Sequence, residues 1–183
     1  MSRERRPGSD PADPAALADL AVDVGRLLRG RRETVALAES CTGGLIAAAL
    51  TTVPGASEYL WGGAVVYTAA SKQALAGLDA ATLESHGTVS AATTEALAAA
   101  IRRLSGATYG LAVTGWAGPD AQPGGFVGTV FAALDDGGEI IERRWQLPGD
   151  RQQVRDAAAT RTLALLRARL QAKLEPVSGG SSR

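Results

Sequence analysis

The sequence predicts an α/β fold: a three-layer α/β/α sandwich around a mixed, mostly parallel sheet of about five strands. Three observations predict it. Apolar spacing switches repeatedly between the helical period and short runs of strand length. Helices and strands alternate along the chain, which favours parallel pairing with both sheet faces covered. Late in the chain, Asp135-Asp136-Gly137-Gly138 joins two strand-like runs as a hairpin and adds an antiparallel strand.

Each element has a local reason. Over residues 14–29, Leu17, Leu20, Ala21, Val24, Leu27 and Leu28 recur at helical spacing, and Gly30 is a plausible stop. Residues 34–39, Thr-Val-Ala-Leu-Ala-Glu, form an apolar run of strand length. Gly43 and Gly44 open a helix to about Thr52, closed by Pro54-Gly55. Trp61 to Tyr67 reads as a buried strand. Lys72 to Leu78 reads as a short helix. Asp79 caps another that ends near Gly87, and Ser90 caps an Ala-rich helix to about Leu104. Tyr109 to Thr114 is a strand that runs into a Gly-rich loop. Val127 to Leu134 and Glu139 to Leu147 are the hairpin strands, and a last helix follows from Asp150 to about Leu174.

Length and composition bound the rest. A chain of 183 residues suits one domain, expected over residues 14–174. Residues 1–13 and 175–183 are polar and expected to be disordered tails. Nineteen basic residues balance nineteen acidic ones, so no overall charge favours nucleic acid or an anionic membrane. One Cys and one His exclude a disulfide framework and a zinc cluster built from one chain. With no long apolar run near its start and a single thiol, the chain is expected to be cytoplasmic. Seventeen of the basic residues are Arg; the two lysines are Lys72 and Lys173.

In an open α/β sheet, ligands sit beyond the carboxyl ends of the strands. Three segments fall there. The first is Glu39-Ser40-Cys41-Thr42-Gly43-Gly44, at a strand-to-helix turn. Ser40 would project from the strand end, and the N–H groups of Cys41 to Gly44 could hold an anion or a developing oxyanion. A plainer reading makes Ser40 or Thr42 only a helix cap. Cys41 is a second possible nucleophile, but no His is positioned by sequence to activate it. The second segment is Tyr67 to Lys72. Between Ser40 and Leu78 the only charged residues are Glu58 and Lys72. A Lys in apolar surroundings loses protons more easily, and a neutral Lys can take the proton of a Ser hydroxyl. Tyr67 could relay a proton or orient the Lys. Alternatively, Lys72 is a solvated first-turn residue. The third segment is the loop Thr114-Gly115-Trp116-Ala117-Gly118-Pro119-Asp120, where Asp120 could accept from ribose hydroxyls. Beyond these, Gly128-Thr129 marks a close approach inside a strand, and Arg151 and Arg155 could meet a phosphate. Lys173, on the closing helix, is expected to be a solvated charge.

Together these segments, with Gly62-Gly63-Ala64-Val65-Val66-Tyr67, Val127-Gly128-Thr129-Val130 and Gly149-Asp150-Arg151, resemble the C-terminal domain of the competence/damage-inducible CinA proteins, the nicotinamide-nucleotide amidohydrolase family. The resemblance covers about residues 14–174. It implies an α/β/α amidase that converts nicotinamide mononucleotide to nicotinic acid mononucleotide and ammonia. The family's Ser, Lys and Tyr fall on Ser40, Lys72 and Tyr67. Cys41, Thr42, Gly43, Gly44, Thr114, Gly115, Gly118, Asp120, Gly128, Thr129 and Arg151 are the expected substrate-binding residues. No metal or cofactor, a nucleotide substrate and a homodimer are implied. The chain departs from the family pattern at Ala69, Trp116 and Phe126, which bears on substrate recognition. The alternatives are a non-catalytic nucleotide-binding or protein-interaction module, or an amidase for another amide.

Overall fold

The structure is a computed structural model that describes residues 14–120 and 125–173. The expected tails at 1–13 and 175–183 lie outside the described residues, as does Leu174. The elements run α1 (Pro14–Arg31), β1 (Val35–Glu39), α2 (Leu45–Thr51), a 3-10 turn (Ala56–Glu58), β2 (Leu60–Val65), α3 (Ala69–Ala76), α4 (Ala80–His86), α5 (Ala91–Ser105), β3 (Tyr109–Gly115), β4 (Thr129–Asp135), β5 (Ile140–Gln146) and α6 (Arg151–Ala172). The predicted order holds. α3 begins three residues before Lys72, because Thr68 and Ser71 form a reciprocal capping box.

The five strands are ordered β2-β1-β3-β4-β5. β1 pairs in parallel with β2 and β3; β3 with β4 and β4 with β5 pair antiparallel. Helices cover both faces, and strand alternation divides the core accordingly. Val35, Leu37, Leu111, Val113, Val130 and Leu134 face α1, α2 and α6. Ala36, Ala38, Ala112 and Ala133 face the other side, with Leu97, Ala98 and Ile101 of α5. These small side chains let α5 lie close to the sheet. A Cβ on Gly110 would stand 2.1 Å from the Ala98 carbonyl, so only glycine fits there.

β1 is fully buried, as a central strand should be. β2 is not: its residues alternate between partly buried and exposed, and Trp61 and Val65 face outward. It is an edge strand, which corrects the expectation of a buried one. Lys173 is exposed, as expected, but it is also paired. Its ammonium lies 3.3 Å from Asp136 and over the Tyr109 ring. The Asp136 carboxylate also accepts from Arg169 and from the Gly138 and Glu139 amides, which ties the β4–β5 hairpin to the end of α6.

Among the described residues, no helix is long and apolar enough to cross a membrane.

Candidate active site

A cleft opens at the carboxyl ends of β1 and β3. Ser40, Cys41, Tyr67, Lys72, Thr88, Val89, Gly115, Trp116, Ala117, Gly118, Asp120 and Arg151 line it. The three segments expected at the strand ends therefore converge. Each lies where the parallel β1, β2 and β3 release the chain.

Ser40 follows β1 directly. Its N–H continues the ladder to the Val113 carbonyl at 3.1 Å, which fixes the backbone as the chain turns away. Lys72 comes from the first turn of α3 and is 1% exposed. Its Nζ donates to the Val66 carbonyl at 2.7 Å and reaches the Ser40 Oγ at 3.4 Å. No carboxylate forms an ion pair with it among the described residues. Burial lowers its pKa from 10.5 to about 8. A group with that pKa is neutral often enough near pH 7–8 to act as a base. The solvated first-turn reading of Lys72 is thereby excluded.

Cys41 also lines the cleft, but burial raises its thiol from 9.0 to about 12. It stays protonated and weakly nucleophilic. Of the two candidate nucleophiles, Ser40 is the one with a base at hand.

Tyr67 sits at the mouth, 53% exposed. Its hydroxyl accepts from Arg151 Nη2 at 2.7 Å, and no hydrogen bond joins it to Lys72 or Ser40. Arg151 also donates to the Gly118 carbonyl, so it bridges two walls of the cleft. Its position at the start of α6 is set by the Asp150 capping box.

The turn from Ser40 to α2 is built differently from the expectation. Glu39, 2% exposed, folds its carboxylate under the start of α2. It accepts from the Thr42 hydroxyl at 2.7 Å and from the N–H groups of Gly44, Ile46 and Ala47 at 3.0, 3.2 and 2.8 Å. Gly43 N–H goes to the Ser40 carbonyl and Leu45 N–H to the Thr42 carbonyl. Of the donors expected to hold an oxyanion, Gly43 and Gly44 are thus engaged, and a carboxylate already compensates the positive end of α2. Thr42, Gly43 and Gly44 shape the turn and do not line the cleft. From the far side, Arg155 clamps the same turn by donating to the Cys41 and Thr42 carbonyls at 3.2 and 3.0 Å.

Other expected residues divide in the same way. Gly115, Gly118, Asp120 and Arg151 line the cleft. Thr114 is buried beneath it, its hydroxyl 2.8 Å from that of Thr94. Thr129 donates to Gln146 at 2.8 Å, and Gly128 lets β4 approach Leu147; neither reaches the cleft. Thr88 and Val89 line it without having been expected. They lie in the link between α4 and α5, where the sequence carries no chemical motif. Glu39 was also missed: it lies well before Gly44, which opens α2, and no capping spacing marks it. Trp116 packs against Gly125, and its buried indole N–H has no partner among the described residues.

The family model described as the CinA C-terminal domain matches residues 17–170. A CinA-like protein from Myxococcus xanthus is 49% identical over 147 residues, which are 79% of this chain and 35% of that protein. A CinA-like protein from Solibacter usitatus is 43% identical over 157 residues, 85% of this chain and 38% of that protein. The chain thus spans little more than a third of these curated relatives. The crystal structure of a competence-damaged protein (CinA) superfamily protein from Enterobacter cloacae superposes with a TM-score of 0.83 at 30% identity, covering 93% of this chain and 98% of that one. The competence damage-inducible protein A from Klebsiella pneumoniae gives 0.82 at 33% identity, covering 85% and 97%.

Proposed function

Because the chain belongs to the CinA C-terminal domain family, we propose that it is an amidohydrolase that deamidates nicotinamide mononucleotide to nicotinic acid mononucleotide and ammonia. The observation that carries the proposal is the buried Lys72 amine at 3.4 Å from the Ser40 hydroxyl, lowered by its burial to about pH 8.

In this reading, neutral Lys72 takes the Ser40 proton as Oγ attacks the carboxamide carbon. The ammonium then gives a proton to the departing nitrogen, the C–N bond breaks, and ammonia leaves an acyl-Ser40 ester. Water attacks the ester, with Lys72 accepting its proton and returning one to Ser40. Tyr67 and Arg151 meet the substrate at the cleft mouth, where the guanidinium suits a phosphate and the phenol a polar ring substituent. Asp120 offers an acceptor for ribose hydroxyls. These roles need no metal. A cytoplasmic setting and a homodimer belong to the same proposal.

The test is ammonia release from nicotinamide mononucleotide by the purified protein and by Ser40→Ala. Turnover that depends on Ser40 supports the reading. Equal turnover in the variant, or none in the wild type, contradicts it.

A further inference from the structure

An acyl transfer at Ser40 needs donors for the oxyanion, and the amides at the start of α2 are already engaged. Resting on the nucleophile assigned to Ser40 above, we infer that the backbone N–H of Gly115, at the end of β3, is the oxyanion donor.

Along a strand, successive residues direct their hydrogen-bonding groups to opposite neighbours. Trp116 N–H donates to the Thr129 carbonyl at 3.0 Å, so residue 116 faces β4. Residues 113 and 115 therefore face the other neighbour, β1. Residue 113 does so visibly, since its carbonyl accepts the Ser40 N–H. The Glu39 carbonyl faces β2, where it accepts from Val66 at 2.7 Å. The next rung of the β1–β3 ladder would join Gly115 N–H to the Ser40 carbonyl. That rung is not made. The chain turns into α2 at this point, and the Ser40 carbonyl accepts from Gly43 at 3.0 Å instead. Gly115 N–H is left directed at the place where β1 ends, beside the nucleophile, and Gly115 lines the cleft.

The residue type fits. A Cβ at 115 would stand 2.8 Å from the Thr129 carbonyl and 2.9 Å from Val130, so any side chain would push β3 from β4 and re-aim the amide. Both strands hold that amide before substrate arrives, which is what makes an oxyanion donor effective. Glu39, by contrast, sets a negative charge against the α2 amides, where an anion would be repelled.

The experiment replaces Gly115 with glycolic acid in the full chain, which exchanges the N–H for an ester oxygen and leaves the side chain unchanged. Two reactions are followed. One is ammonia release from nicotinamide mononucleotide. The other is acetylation of Ser40 by p-nitrophenyl acetate, read by mass: the Oγ–carbon bond forms, p-nitrophenolate leaves, and Lys72 takes the hydroxyl proton. The inference predicts that acetylation slows about 100–1000-fold while affinity for the nucleotide changes far less. If the wild type acetylates but does not deamidate the nucleotide, a slow variant still supports Gly115, and only the assigned substrate fails. Acetylation of the variant at the wild-type rate overturns the inference, as does a wild type that is never acetylated. Should the ester variant not fold, glycine-labelled wild type with a boronic acid serves instead. On formation of the tetrahedral Ser40 adduct, the Gly115 amide proton must move downfield, and an unmoved resonance overturns the inference.

Discussion

The Lys72 ammonium nitrogen stands 3.4 Å from the Ser40 hydroxyl oxygen, and the Val66 carbonyl 2.7 Å away holds it there. That carbonyl orients the amine without supplying a full counter-charge, so burial is left to lower its pKa. Activity is therefore expected to rise with pH through about 8 and then level as Lys72 becomes neutral. A kcat profile between pH 6 and 10 checks this. Lys72→Arg should lose at least ~100-fold in kcat, because a guanidinium keeps its proton.

The same burial costs stability. A lysine whose folded pKa falls from 10.5 to about 8 opposes folding fully below about pH 8, and the opposition fades as pH rises toward 10.5. Lys72→Met is expected to be inactive yet more stable than wild type at pH 7. The gap should narrow between about pH 8 and 10.5 in urea melts.

Glu39 serves the site through the backbone. Its carboxylate accepts one hydroxyl and three amides, and removing it would leave these buried and partly buried donors without their acceptor. Glu39→Ala should cost at least ~2 kcal/mol in denaturant unfolding. It should also lower kcat, since the turn it holds carries Ser40.

Much of this was legible in the sequence, and the exceptions have physical reasons. The element order followed from apolar period and from caps such as Asp79, Ser90 and Asp150. Ser40 and Lys72 could be paired because charge is so sparse between residues 41 and 77. The exposure of β2 could not be read, since Gly62-Gly63-Ala64-Val65-Val66 is apolar throughout and a run of that kind does not say how many strands flank it. The engagement of the α2 amides was hidden for another reason. Helix starts have free donors by default, and only the folded turn shows that Glu39 reaches back to them. Arg151 on Tyr67 joins residues 84 positions apart, which no local pattern encodes.

The far end of the sheet offers an independent check. Asp136 is buried, which alone would raise its pKa; the Gly138 and Glu139 amides, Arg169 and Lys173 outweigh this and hold it well below 3.8. Its contribution is present above about pH 4 and is lost as pH falls below that. Asp136→Asn should lower Tm at pH 7, and the difference from wild type should shrink by pH 3.

The proposed reaction is Ser40 chemistry on a nucleotide carboxamide. Its most direct measurement is paired quantification of ammonia and nicotinic acid mononucleotide from nicotinamide mononucleotide, with wild type and Ser40→Ala assayed at pH 8. Equimolar products are expected from the wild type and none from the variant, with the variant still folded by circular dichroism. Products formed equally by both proteins, or by neither, would contradict it.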